Sequence, residues 1–154
     1  MQLSFFLPKT HVIQNEFNIN PQCRRVNKKN IFNLGNLSWN MGMLCALNFP
    51  HVTSREFIAS HDIKIITKDI VPILNKILFS SFDASNNSII LYPNMIDKYF
   101  VPSAPSNFNH NHCIDLLLYH EIFHFLQCTN QCPLYKINCL NEIAAYSFTR
   151  KVYS

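Results

Sequence analysis

Five consecutive residues, His120-Glu121-Ile122-Phe123-His124, set two imidazoles four positions apart with a carboxyl next to the first. On a helix, positions i and i+4 stand one turn above each other, with Cβ atoms about 6 Å apart. Two histidines so placed can converge on one metal ion at roughly 2.0–2.1 Å each. Glu121 lies about 100° round the helix from His120, close enough to serve as general base without being forced onto the metal. This HExxH pattern arises by chance in roughly 1 in 100 chains of this composition, so it needs helical context and a third ligand. The plain alternative is a buried helix whose histidines make ordinary hydrogen bonds.

A third ligand is present. Glu142 is the one acid after the motif, eighteen positions beyond His124, and no histidine follows His124. Two histidines and a glutamate leave a fourth position open, which is a catalytic zinc arrangement and not a closed structural one. The expected cofactor is therefore one Zn2+ per chain, held by His120, His124 and Glu142. The alternative for Glu142 is a first-turn helix acid favoured by the helix dipole. In the catalytic reading Glu121 takes a proton from water and passes it to a leaving amine. The oxyanion needs a further donor, and Tyr146, one turn after Glu142, is the first choice. Tyr135, His110 and His112 are looser candidates, and for Tyr146 as for these the alternative is a buried ring that only packs.

The motif together with Asn141-Glu142-Ile143-Ala144-Ala145-Tyr146-Ser147-Phe148 resembles the gluzincin peptidases, in which a helix after HExxH carries the third ligand glutamate. Within that group it is most similar to the small ImmA/IrrE-like metallopeptidases. Glu142, Ala145 and Phe148 match their Glu-x-x-Ala-x-x-Phe-Ala segment, while Thr149 replaces the final Ala and Phe123 stands where a glycine is usual. Cys139-Leu140-Asn141-Glu142-Ile143-Ala144-Ala145 is a looser match to the mitochondrial ATP-synthase-processing peptidases. The resemblance covers about residues 88–152, the expected catalytic core; residues 1–80 match no family. It implies a zincin-like α+β domain and a cleft lined by an edge strand, to which an extended substrate pairs by main-chain hydrogen bonds. Residues 88–92 are the candidate for that edge strand, an ordinary interior strand being the alternative.

The positioning elements read as follows. Asn111 is a possible N-cap for a helix over 112–127, and a second helix is predicted over 141–152, with Ala144 and Ala145 small enough for close approach. Strands are expected over 62–67, 88–92 and, less clearly, 2–7. Helices are expected over 69–78, with apolar residues at helical spacing, and over 37–47, with Ser38 as N-cap. Residues 1–35 are otherwise patternless, and 93–112, with three prolines, read as loop.

At 154 residues, 48% hydrophobic and 14% charged, the chain fits one packed domain. Its 13 phenylalanines against 2 glycines imply a bulky interior. A formal charge of +4 is modest, and the basic cluster Arg24, Arg25, Lys28, Lys29 lacks interleaved aromatics. No apolar run reaches the ~20 residues of a membrane span, and no basic leader precedes an apolar stretch. The expectation is thus a cytoplasmic protein with reduced cysteines, acting on a peptide or protein such as a regulator, with no nucleic acid and no membrane. Two lesser readings are a structural zinc on Cys128, Cys132 and Cys139, and a Cys113 nucleophile near His110 and His112. A catalytically idle zinc-binding domain that serves as a protein-interaction module is the main functional alternative.

Overall fold

The computed structural model describes residues 2–21, 23, 26–69 and 77–154. The predicted helix over 69–78 falls largely outside these residues, as do Arg24 and Arg25. α1 (Lys9–Ile19) follows Pro8 and buries Val12, Ile13, Glu16 and Phe17 on one face. α2 (Lys28–Leu47) is capped by Asn27, whose side chain accepts from Lys29 N at 3.1 Å. Both helices correct the patternless reading of the first 35 residues. Ser38, expected as a cap, sits buried inside α2 and donates back to the Gly35 carbonyl at 3.3 Å.

α2 lies against α7 (Asn138–Tyr153) so closely that a Cβ on Gly42 would overlap Ser147 Oγ and the Ala144 carbonyl. Ser147 Oγ donates to the Trp39 carbonyl at 2.8 Å across that contact. The small residue at Ala144 therefore does what its size predicts. No strand forms over 2–7. Arg150 instead takes the main-chain carbonyls there, donating to Ser4 O at 2.8 Å, Phe5 O at 2.9 Å and also to Leu7 O.

α3 (Ser54–Ser60) begins in a capping box between Thr53 and Glu56. A three-stranded mixed sheet follows: β1 (Lys64–Thr67), β2 (Ser80–Asp83) and β3 (Ser88–Leu91), in the order β1-β3-β2. β3 pairs in parallel with β1 (Ile65 opposite Ile89) and antiparallel with β2 (Phe82 opposite Ile89). The β2–β3 turn is tied by Asp83, which accepts from Ser85 N, Ser85 Oγ and Asn86 Nδ2. Ser88–Leu91 is thus the buried central strand and not an edge; its run of Ile89, Ile90 and Leu91 needs cover on both faces. Among the described residues the edges are β1 and β2. β2, with two serines and an aspartate, carries no strand signal of its own.

Residues 93–103, expected as loop, are helical: α4 (Pro93–Met95), a π-helical turn (Ile96–Phe100) and α5 (Val101–Ser103). Pro93 and Pro102 occupy first-turn positions, where a missing N–H is harmless, and Ile96 and Phe100 are fully buried. α6 (His110–Cys128) starts two residues earlier than predicted. Its cap is Asn109, in a reciprocal box with His112. The architecture is a mixed α+β domain with a phenylalanine-rich core. No described helix is long and apolar enough to cross a membrane.

Cys23 and Cys139 form a disulfide 116 residues apart in sequence, which corrects the expectation of wholly reduced cysteines. Cys23, between α1 and α2, lies beside the start of α7, a proximity that sequence spacing does not reveal. Cys45, Cys113, Cys128 and Cys132 are free thiols.

Candidate metal centre

α6 carries apolar residues all round and is buried at its middle, which leaves His120 5% and Glu121 3% exposed. α7 returns alongside and points Glu142 between the two rings. His120 Nε2 lies 3.0 Å from Glu142 Oε2, and His124 Nε2 lies 3.1 Å from Glu142 Oε1. One ligand atom from each of the three residues falls within 4.8 Å of the others. His120, His124 and Glu142 can therefore hold a metal ion, and among the described residues they are the one such group. The donor set, two imidazole nitrogens and a carboxylate with both Nε2 atoms converging, suits a divalent ion with borderline-soft preferences.

The electrostatics agree with a site built around positive charge. Burial opposes the charge on Glu142, but His120 and His124 outweigh it and hold the carboxyl well below the usual carboxylate range. Burial likewise works against a charged His124, yet Glu142, aided by Glu121 and Gln127, brings it up to about 9 in the metal-free site. A metal must displace that proton. Glu121 is pushed up, chiefly by burial, with both histidines pulling part of the way back. Its Oε1 accepts from Ser80 Oγ of β2 at 3.1 Å, while its Oε2 and His120 Nδ1 are buried without a partner.

Tyr146 packs its ring 4.7 Å from that of His120, with its hydroxyl interacting with Ser4. Burial and the carboxylates Glu16, Glu142 and Glu121 push its phenol well above the ordinary value, so it stays a donor at neutral pH. The looser candidates are not brought in. His110 pairs with Asp97 at 3.1 Å on the surface, and His112 caps α6 two turns before His120. Tyr135 packs in the loop before α7 and uses its main chain to hold Asn141. Cys139 is committed to its disulfide, which removes the three-cysteine zinc site. Cys113, fully buried, lies two turns from the motif and is pushed up by burial, against a nucleophile's requirement.

Three contributors carry no local sequence signal. Phe5 stands edge-on to Tyr146 at 5.0 Å and 5.3 Å from the His120 ring. Glu16 of α1 is buried nearby and raised to about 8, by burial first and then by repulsion from Glu142, with Ser4 easing it. Ser80 reaches Glu121 from the edge strand. Each comes from a distant segment, and only the packing of α1 and β2 reveals it.

In comparisons with known protein families, with curated proteins and with solved structures, nothing matches this chain.

Proposed function

We propose that this chain is a zinc-dependent peptidase with a zincin-like site. The observation that carries the reading is the convergence of His120, His124 and Glu142, with Glu121 buried one residue along the same helix. Zinc held by these three side chains supplies Lewis acidity, polarising a scissile carbonyl and making the attacking water easier to deprotonate. Glu121 accepts the proton from that water and delivers it to the leaving amine nitrogen. Its raised proton affinity suits this exchange: a carboxylate of ordinary acidity would hold the proton too weakly to hand it on near neutral pH. Tyr146, a protonated phenol beside His120, is the candidate donor to the oxyanion.

The substrate is an extended peptide or protein segment. β2 offers the docking edge, because its far side is unpaired among the described residues and Ser80 ties it to Glu121. Strand addition at that edge brings a main-chain carbonyl to the mouth of the site.

Elemental analysis of protein purified without added metal tests the first half. About one zinc per chain in the wild type and little in His124→Ala supports the site. A folded sample that neither contains nor takes up zinc sinks the reading. Cleavage of a degenerate peptide library, read by mass spectrometry and lost in Glu121→Gln, tests the second half. One zinc without cleavage of any peptide points to a zinc-binding interaction module.

A further inference from the structure

Behind His124 lies a set of hydrogen bonds whose directions are forced by chemistry. The backbone N–H of Tyr135 can only donate, and it lies 2.8 Å from Asn141 Oδ1. The carbonyl of Tyr135 can only accept, and it takes a 3.0 Å bond from Asn141 Nδ2. The amide of Asn141 is therefore fixed in orientation. Gln127 Nε2 donates to Asn141 Oδ1 and to the Pro133 carbonyl, both at 3.0 Å, which uses its two protons. That leaves Gln127 Oε1 facing His124 Nδ1 at 3.0 Å. An amide oxygen cannot donate, so Nδ1 of His124 carries a proton and Nε2 is the nitrogen offered to the centre.

We infer that Gln127, oriented by Asn141, is the positioning residue of the metal centre. It holds His124 with Nε2 aimed at the ion. This rests on the metal reading above. The sequence signature of the centre is then longer than HExxH: it adds a glutamine three residues after the second histidine and an asparagine just before the ligand glutamate.

Both side chains are deeply buried, Gln127 at 2% and Asn141 at 6% exposure. Burying two amides is unfavourable unless every polar atom finds a partner. A position that needed only filling is served as well by methionine. A histidine ligand that must not rotate needs an acceptor at its second nitrogen, and such supports typically matter about 10–100-fold in metal affinity.

The test measures zinc affinity by chelator competition, with thermal unfolding of the metal-free protein, in wild type, Gln127→Met and Gln127→Glu. Gln127→Met removes the acceptor and is expected to weaken zinc about 10–100-fold. Gln127→Glu restores an acceptor for Nδ1–H and is expected to recover most of that affinity. It also turns an acceptor towards Pro133 O and Asn141 Oδ1, so its unfolding temperature should be no higher than that of Gln127→Met. Affinity that simply follows stability across the three proteins overturns the proposal, as does wild-type affinity in Gln127→Met. Should the variants not fold, long-range 1H–15N spectra of zinc-loaded wild type decide. A proton on His124 Nδ1 supports the assignment, and a bare Nδ1 defeats it. A wild type that binds no zinc defeats the metal reading itself, and this proposal with it.

Discussion

Around His124 the chain presents hydrogen-bonding amides, and around His120 it presents aromatic rings. Gln127 on α6 and Asn141 on α7 pin His124. Phe5 and Tyr146 pack His120, whose Nδ1 is buried with no partner. Directional bonds fix one ring's rotation and its proton. Packing fixes the other ring's place and leaves its second nitrogen uncommitted. A pair of histidines on one helix can thus be held by two different forces, and the two ends of the centre should fail differently.

The largest effect is expected where neither support is touched. Glu121→Gln keeps both histidines and the carboxylate, so zinc content should stay near wild type while peptide cleavage falls about 10²–10⁴-fold. Parallel loss of zinc would mean that Glu121 helps hold the metal and is not simply the base.

Phe5→Ala attacks the aromatic side. Phe5 is buried and contacts Phe100, Tyr146 and His120, so its removal should lower unfolding free energy by about 3–5 kcal/mol in denaturant titrations. Zinc affinity of the folded fraction should change less than in Gln127→Met. The reverse order would erase the contrast between packing and pinning.

A proton on His124 that holds until about pH 9 must leave when metal enters. Zinc affinity is therefore expected to rise with pH up to about 9, by up to roughly tenfold per unit for that one proton. Competition titrations at pH 7 and pH 9 measure this; a flat profile would mean that the ion does not displace the His124 proton.

The smallest effect concerns Glu16. Its folded value, about 8, lies above the ordinary 4.5, so the folded state binds more protons between those limits. The stability linked to this group is complete below pH 4.5 and is lost as pH rises through 8. Glu16→Gln should therefore raise the unfolding temperature of metal-free protein at pH 8 by several degrees and leave pH 5 nearly unchanged, as read by thermal denaturation. Equal effects at both pH values would show that the carboxyl is not strained by burial.

Much of the centre could be read directly. His120, Glu121 and His124 are related by helical geometry alone, and Glu142 stood out as the one acid left downstream. The elements carrying them were placed to within a few residues, with Asn109 in place of Asn111 as the cap because its side chain reaches His112 N. The strand at Ser88–Leu91 was legible from its β-branched run. Its place in the sheet was not, because a continuous apolar strand reads alike until its neighbours are known. β2 was invisible: Ser80–Asp83 becomes a strand through its bonds to β3.

The N-terminal third shows the same limit more strongly. α1 and the first turns of α2 lack clear periodicity, and Asn-rich stretches are weak helix formers. Burial of Val12, Ile13, Phe17 and Trp39 against α7 overrides that local preference. What the sequence by itself determined was local chemistry: which side chains share a helix face, and which acid remained to join the two histidines. Tertiary structure alone decided which strand borders Glu121, which aromatic ring packs His120, which cysteines meet, and which amide orients His124. Those relations join residues up to 116 positions apart, as between Cys23 and Cys139. No periodicity encodes them, because they arise from the packing of whole elements.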